Sequence, residues 1–320
     1  MILIAAFTGI SGVNDGGNLI GTYLSSTSIR PRVTVGLLLA SILAGPIIFG
    51  TRVSHTIAVE IVNFQAAGHS VLALSLLAAV LTLGVTWRMS IPTSTTMALA
   101  GGMVGTALAA GHMDWIRWAG VLKVSIGLVG SVLVGFGMAF ALASLLWMLM
   151  RRYPRLGFSG GRAQAATIVL QGLAYGANDQ EKAIGFTAVF LMWSARHTAY
   201  HVSWLAILLP WVFWLAGFFG GGLRIARTVS GHVVRLNDVG SMSTQLSAAI
   251  TVGAASLMGF PVSTTQTTDG SLFGTGAALK PYHVRWHTVG KFAKVWALTL
   301  PLAVAMGMAT MGGARLLGGL

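Results

Sequence analysis

Two carboxylates and two runs of hydroxyls are the residues of this chain best placed to do chemistry. Asp15 and Asp179 lie within apolar stretches, each directly after an asparagine, Asn14 and Asn178. A carboxylate at membrane depth is costly and marks an ion path or a proton relay. The glycines beside them would let a helix unwind and turn carbonyls inward. Together with the Asn and Asp oxygens, those carbonyls would make a hard-cation seat for Na+ or H+ at Asn14, Asp15, Asn178 and Asp179. Asn18 is one helical turn from Asn14, on the same face, and adds a ligand. A plainer reading makes each Asp the cap of a kinked helix; its occurrence at two matched positions favours the ionic one.

The hydroxyl runs are Ser94, Thr95 and Thr96, after Pro92, and Ser263, Thr264 and Thr265, after Pro261. Proline followed by Ser and Thr is a helix start. Here each start opens a segment of small apolar residues inside hydrocarbon-length sequence. A helix beginning within a membrane presents unpaired N–H donors, a positive dipole end and nearby hydroxyls, which is a seat for an anion such as phosphate or sulfate. The alternative is hydroxyls bonded back to their own backbone, which is common in membrane helices.

The elements that must position these groups are membrane helices. Of 320 residues, 55% are hydrophobic and only 8% charged, against about 25% charged in soluble domains. Apolar runs near the length of a bilayer span recur throughout. The 42 glycines suit close helix packing. With no cysteine, disulfides, thiolate metal sites and cysteine catalysis are excluded. The net charge of +13 fits positive-inside loops and contact with anionic lipid, not nucleic-acid binding. Met1-Ile-Leu-Ile-Ala5 has no basic flank, so the start reads as a first spanning helix rather than a signal.

Landmarks recur at near-constant distance. Asn14 and Asn178 are 164 apart, Pro92 and Pro261 are 169 apart, and Lys123 and Lys291 are 168 apart. Each half therefore has the same order: an interrupted apolar segment, a span, a polar connection, a re-entrant hairpin with its tip at the proline, and a long last span. The polar connection of the first half, residues 53–69, reads as an interfacial or pore-facing helix. Three true spans per half turn the second half upside down. The expectation is an all-α polytopic membrane protein of two inverted repeats with broken helices and re-entrant helical hairpins. It forms one transmembrane domain over 1–320, with repeat 1 at 1–150, a cytoplasmic linker at 151–162 and repeat 2 at 163–320. Most loop Arg and Lys fall on the linker's side, which places both termini outside.

The chain resembles the PiT (Pho4-like) inorganic phosphate transporters. The resemblance lies in Gly12-Val-Asn-Asp-Gly-Gly-Asn18, Gly176-Ala-Asn-Asp-Gln-Glu-Lys182, Pro92-Thr-Ser-Thr-Thr96, Pro261-Val-Ser-Thr-Thr265 and Lys294-Val-Trp-Ala-Leu-Thr-Leu-Pro301, and it covers nearly the whole chain. It implies a cation-coupled symporter of inorganic phosphate. Phosphate would sit at the hairpin tips and the coupling ion at the Asn-Asp pairs. The family usually has His after Ser-Thr-Thr, where this chain has Met97 and Gln266, so any role of that His is lost or moved. The second signature continues as Gln-Glu-Lys, as in bacterial members, which weighs against Na+.

The expected function is secondary active transport of phosphate with Na+ or H+ across the plasma membrane, without a cofactor. A sulfate transporter of the same fold and an anion channel are the alternatives. The sequence has no nucleophile–base pair, metal-ligand cluster or ATP-binding loop that would suggest an enzyme or an ATP-driven pump. It leaves a homodimer open. Glu181 and Lys182 read as a pair with each other, Asp269 as an added proton site or a packing contact, and the ten tryptophans as interface belts.

Overall fold

A computed structural model of the chain describes residues 1–23, 29–88, 93–153, 161–195, 199–222, 238–279 and 281–318. Among these the regular structure is helical, apart from one isolated bridge between Val62 and Ile116. The first half comprises α1 (Ile2–Tyr23), α2 (Pro31–Phe49), the short α3 (Arg52–His55), α4 (Phe64–Arg88), α5 (Thr95–Ala109) and α6 (Trp118–Arg152). The second comprises α7 (Gly161–Tyr175), α8 (Glu181–Ser194), α9 (Trp204–Gly217), α10 (Asp238–Leu257), α11 (Thr264–Leu279) and α12 (Trp286–Leu316).

Among the described residues, five stretches are long and apolar enough to cross a membrane: α2, α4, α6, α9 with its extension to Gly222, and α12. In α6, Leu122, Ile126, Val129 and Leu133 recur at helical spacing and are all exposed. That stripe would be polar in water and is suited to lipid. The opposite face of α6 buries Gly120, Val124, Gly127, Leu128 and Ser131. α5 and α11 differ in kind: small residues and hydroxyls dominate both, and nearly every side chain is buried, so they are wrapped on all sides by other helices.

The packing is reciprocal between the halves. α5 lies against α12 and α11 against α6, so each short hairpin limb rests on the last span of the other half. α1 packs on α9 and α7 on α2 in the same crossed fashion, while α4 with α5 and α10 with α11 form the hairpins. This is the expected plan of two inverted repeats. The close crossings need glycine. A Cβ on Gly12 would collide with the Trp214 carbonyl, and one on its repeat mate Gly176 with the Ile42 carbonyl. The limb α10 ends at Gly259, whose φ of 70° is a left-handed conformation that glycine adopts without strain.

Three expectations need correction. The first Asn-Asp signature does not unwind its helix, since α1 is continuous through Asn14 and Asp15. The second sits in a π-helical turn, Gly176–Gln180, between α7 and α8, so any loosening is confined to that half. Gly12 is consumed by the approach of α9 rather than by a break. Trp214 is not at an interface but fully buried, stacked on Phe218 with ring centroids 5.6 Å apart. Residues 53–69 are no single helix: α3 runs into a π-turn, Thr56–Glu60, and Gly68 kinks the start of α4. Glu60 there binds Lys123 of α6 at 2.9 Å. Pro92, the expected first tip, and residues 154–160 of the linker lie outside the described residues.

Candidate ion-binding site

Ser94 and Ser263 are the N-cap residues of α5 and α11. Ser94 Oγ accepts from the Met97 amide at 3.2 Å, and Ser263 Oγ from the Gln266 amide at 3.3 Å. With the serines spent on capping, the threonines after them are free to face the carboxylates. The first-turn amides of Thr95, Thr96, Thr264 and Thr265 fall outside the intrahelical ladder, as they must at any helix start.

Four donors meet Asp15. Ser11 Oγ and Thr95 Oγ1 donate to Oδ2 at 2.8 and 3.0 Å. Asn14 Nδ2 and Thr265 Oγ1 donate to Oδ1 at 3.0 and 3.4 Å. Thr265 comes from the opposite repeat, so Asp15 is held by both hairpin corners. Asn14 Nδ2 also donates to the Thr93 carbonyl at 2.8 Å, tying α1 to the first corner. Asn18 lies in α1, but its side chain is outside what is described.

Asp179 is met differently. Thr264 Oγ1 donates to its Oδ2 at 2.8 Å, and the Lys182 ammonium to its Oδ1 at 2.6 Å. Lys182 is completely buried and also donates to Thr95 Oγ1 at 3.3 Å. A continuous chain of contacts thus runs from Asp15 through Thr95 and Lys182 to Asp179 and Thr264. Asn178 secures the second corner, donating to Ser256 Oγ and the Phe260 carbonyl at 3.1 Å and accepting from the Val262 amide at 3.2 Å.

The corners touch. Thr96 Oγ1 donates to the Val262 carbonyl at 2.7 Å, across the boundary between repeats. Met97 and Gln266, which follow the hydroxyl runs, also meet: Gln266 Nε2 approaches Met97 Sδ at 3.5 Å. Asp15 and Asp179 line one narrow crevice, with Leu19, Ile42, Tyr175 and Trp214. Every described member of the six hydroxyls and two Asn-Asp pairs therefore belongs to one cluster. Two buried carboxylates facing a set of hydroxyl donors and two helix starts can bind cations and an anion side by side.

A family model described as the phosphate transporter family matches residues 11–158 and 158–307. The chain belongs to that family. A Rhizobium meliloti (strain 1021) protein named "Probable low-affinity inorganic phosphate transporter" is 32% identical over 309 residues, covering 95% of this chain and 92% of its own length. A Bacillus subtilis (strain 168) protein of the same name is 29% identical, covering 96% of this chain and 93% of its own. Among solved structures, one titled "The sodium-dependent phosphate transporter" superposes with a TM-score of 0.83 at 21% identity over 98% of each chain, a likeness of fold.

Three members of this cluster were not singled out for it from the sequence. Ser11 carries no local signature; Thr299 lies within the Lys294–Pro301 motif, but its pairing with Thr93, 3.2 Å between hydroxyl oxygens, joins two distant segments. Lys182 was read as a partner of Glu181. The two instead diverge, with Glu181 accepting from the Ser54 amide at 3.0 Å and Lys182 turning to Asp179. Arg88, at the end of α4, is exposed rather than turned into the site.

Proposed function

We propose that the chain carries inorganic phosphate across a membrane by symport with a cation, Na+ or H+, through alternating access. Phosphate sits between the starts of α5 and α11, where Ser94, Thr95, Thr96, Ser263, Thr264 and Thr265 lie. The cation binds with Asn14, Asp15 and Asn18; Asn178 and Asp179 form the matching cation seat of the second repeat. The observation that carries this reading is the sharing of donors: Thr95 and Thr264, which would donate to phosphate, donate to the carboxylates that would hold the cation. A cation at a carboxylate takes over its charge and releases the hydroxyl for the anion. Phosphate then sits beside positive charge and two helix N-termini. Each partner makes room for the other, which is the coupling a symporter needs. The family and its named relatives support phosphate as the cargo.

The membrane is taken to be the plasma membrane. The excess of Arg and Lys on the linker's side supports cytoplasmic residues 151–162 and termini outside.

Uptake of labelled phosphate and sulfate into proteoliposomes, with imposed Na+ or pH gradients, tests the reading. Phosphate uptake should follow one of the gradients, and sulfate should compete weakly. Uptake indifferent to both gradients would make the chain a channel. Preference for sulfate would change the cargo and keep the machine.

A further inference from the structure

The two repeats bring their carboxylates to matching threonines, at Thr95 and Thr264, and surround them with different charge. The offset that carries Asn14 to Asn178 and Asp15 to Asp179 also carries Asn18 to Lys182. At this one place in the site, the second repeat has an ammonium group where the first has a neutral amide. The Lys182 side chain has no exposure to solvent. Its Nζ is 2.6 Å from Asp179 Oδ1. Among the described side chains, the donors to Asp15 are all neutral: Ser11, Asn14, Thr95 and Thr265.

A buried carboxylate needs a compensating charge. An ammonium group is a compact point charge with three donors, the closest thing a side chain offers to a small monovalent cation. It lies between Asp179 and the hydroxyl of Thr95, at the start of the other repeat's hairpin limb, which it reaches at 3.3 Å. An ion pair kept only for stability gains little over an apolar pair of the same shape. This one joins a carboxylate of the cation seat to a hydroxyl of the anion seat.

We infer that Lys182 is a tethered coupling ion: its ammonium fills the second repeat's cation seat permanently, so one mobile cation, held at Asp15, accompanies each phosphate. The inference rests on the symport reading and fixes its stoichiometry. Asp15 and Asp179 bring two negative charges and Lys182 one positive. A single monovalent cation completes the balance before phosphate enters.

The test uses the full chain in proteoliposomes and measures the initial rate of phosphate uptake against the concentration of the driving cation. The number of cations moved per phosphate is read from the accumulation reached under a known gradient. The wild-type chain should take one cation per phosphate, with a non-cooperative dependence. Lys182→Asn, which gives the second repeat the first repeat's residue, should become cooperative and move one cation more. Lys182→Arg keeps the charge and should keep the wild-type dependence. An active Lys182→Asn chain with wild-type stoichiometry would overturn the inference.

Where Lys182→Asn fails to fold, the doubly neutral variant Asp179→Asn with Lys182→Asn decides. An unchanged stoichiometry supports a seat already filled; the loss of one cation per phosphate shows that a mobile ion had occupied it. Gradient-driven uptake with the wrong stoichiometry removes only this inference. Wild-type uptake indifferent to both gradients removes the symport reading and this inference with it.

Discussion

The Asp15 corner and the Asp179 corner carry the same threonine–aspartate contact, at 3.0 Å and 2.8 Å, on helices that pack in the same crossed way. Among the described residues, only the second has an ammonium group in direct contact, that of Lys182. The hairpins diverge likewise. In α10 and α11, Gln245, Ser247, Thr267, Thr268 and Asp269 are buried; the matching positions of the first hairpin are Leu76, Ala78, Ala98, Leu99 and Ala100, also buried. Among the described residues, the polar hairpin leaves Gln245 Nε2, Thr268 Oγ1 and Asp269 Oδ2 without a partner. Each such atom costs about 1–3 kcal/mol unless water reaches it. A duplicated plan thus preserves the packing of the helices, while side chains give one hairpin an apolar interior and the other a polar one. Symmetry of fold is no guide to symmetry of ion binding.

The strongest way to break this comparison is to neutralise each carboxylate in turn. Asp179→Asn strands a buried ammonium, and removing one partner of a buried pair costs about 3–5 kcal/mol. Asp15→Asn disturbs hydrogen bonds from neutral donors and should cost about 1.5–3 kcal/mol in stability, less than Asp179→Asn, yet abolish cation-driven uptake. Thermal unfolding in detergent, read beside uptake, separates the two. Equal stability losses would mean that Asp15 also has a charged partner.

The threonines sharpen the contrast. Thr95 donates to Asp15 and accepts from Lys182, so it belongs to both corners; Thr264 donates only to Asp179 among carboxylates. Loss of a hydrogen bond to a charged group costs about 1.5–3 kcal/mol, and every 1.4 kcal/mol is about tenfold in affinity. Thr95→Ala should therefore lower the efficiency of phosphate uptake by about tenfold or more, with little loss of folded protein, and Thr264→Ala by less. The reverse order would place the phosphate nearer the second corner. Backbone symmetry gives a control: Gly12→Ala and Gly176→Ala each drive a Cβ into a facing carbonyl. Both should destabilise by a similar amount, about 1–3 kcal/mol. A large difference between them in thermal unfolding would show that the crossings are not equivalent.

The duplication made much of this legible in the sequence. Asp15 with Asp179, and Thr95 with Thr264, stood out because each has a partner at a near-constant distance, and the structure brings them together. Lys182 was hidden by its neighbour. Adjacent residues on a helix do not face each other, so the apparent Glu181–Lys182 pair is divided between Ser54 and Asp179. Carrying the offset from Asn14 one turn further, to Asn18, would have exposed it. The glycines misled for another reason. Composition does not distinguish a glycine that loosens a helix from one that admits a neighbour, and Gly12 does the second. Contacts between the corners, such as Thr96 to the Val262 carbonyl, depend on how two distant segments dock, which local patterning does not specify.

The smallest expected effect concerns Gln266. It occupies the position after the hydroxyl run where the family resemblance led us to expect His, and it meets its repeat mate Met97 at 3.5 Å. Its Oε1 is buried without a partner among the described residues, and an N–H to sulfur contact is a weak one. Gln266→Met removes the lone carbonyl at nearly constant volume and makes the contact apolar on both sides. Such a change is close to neutral or slightly stabilising. Phosphate uptake and its cation dependence should stay within about twofold of wild type, as measured in the proteoliposome assay. A larger change in cation dependence would show that this contact between the halves takes part in coupling, and would set a third element beside the two corners.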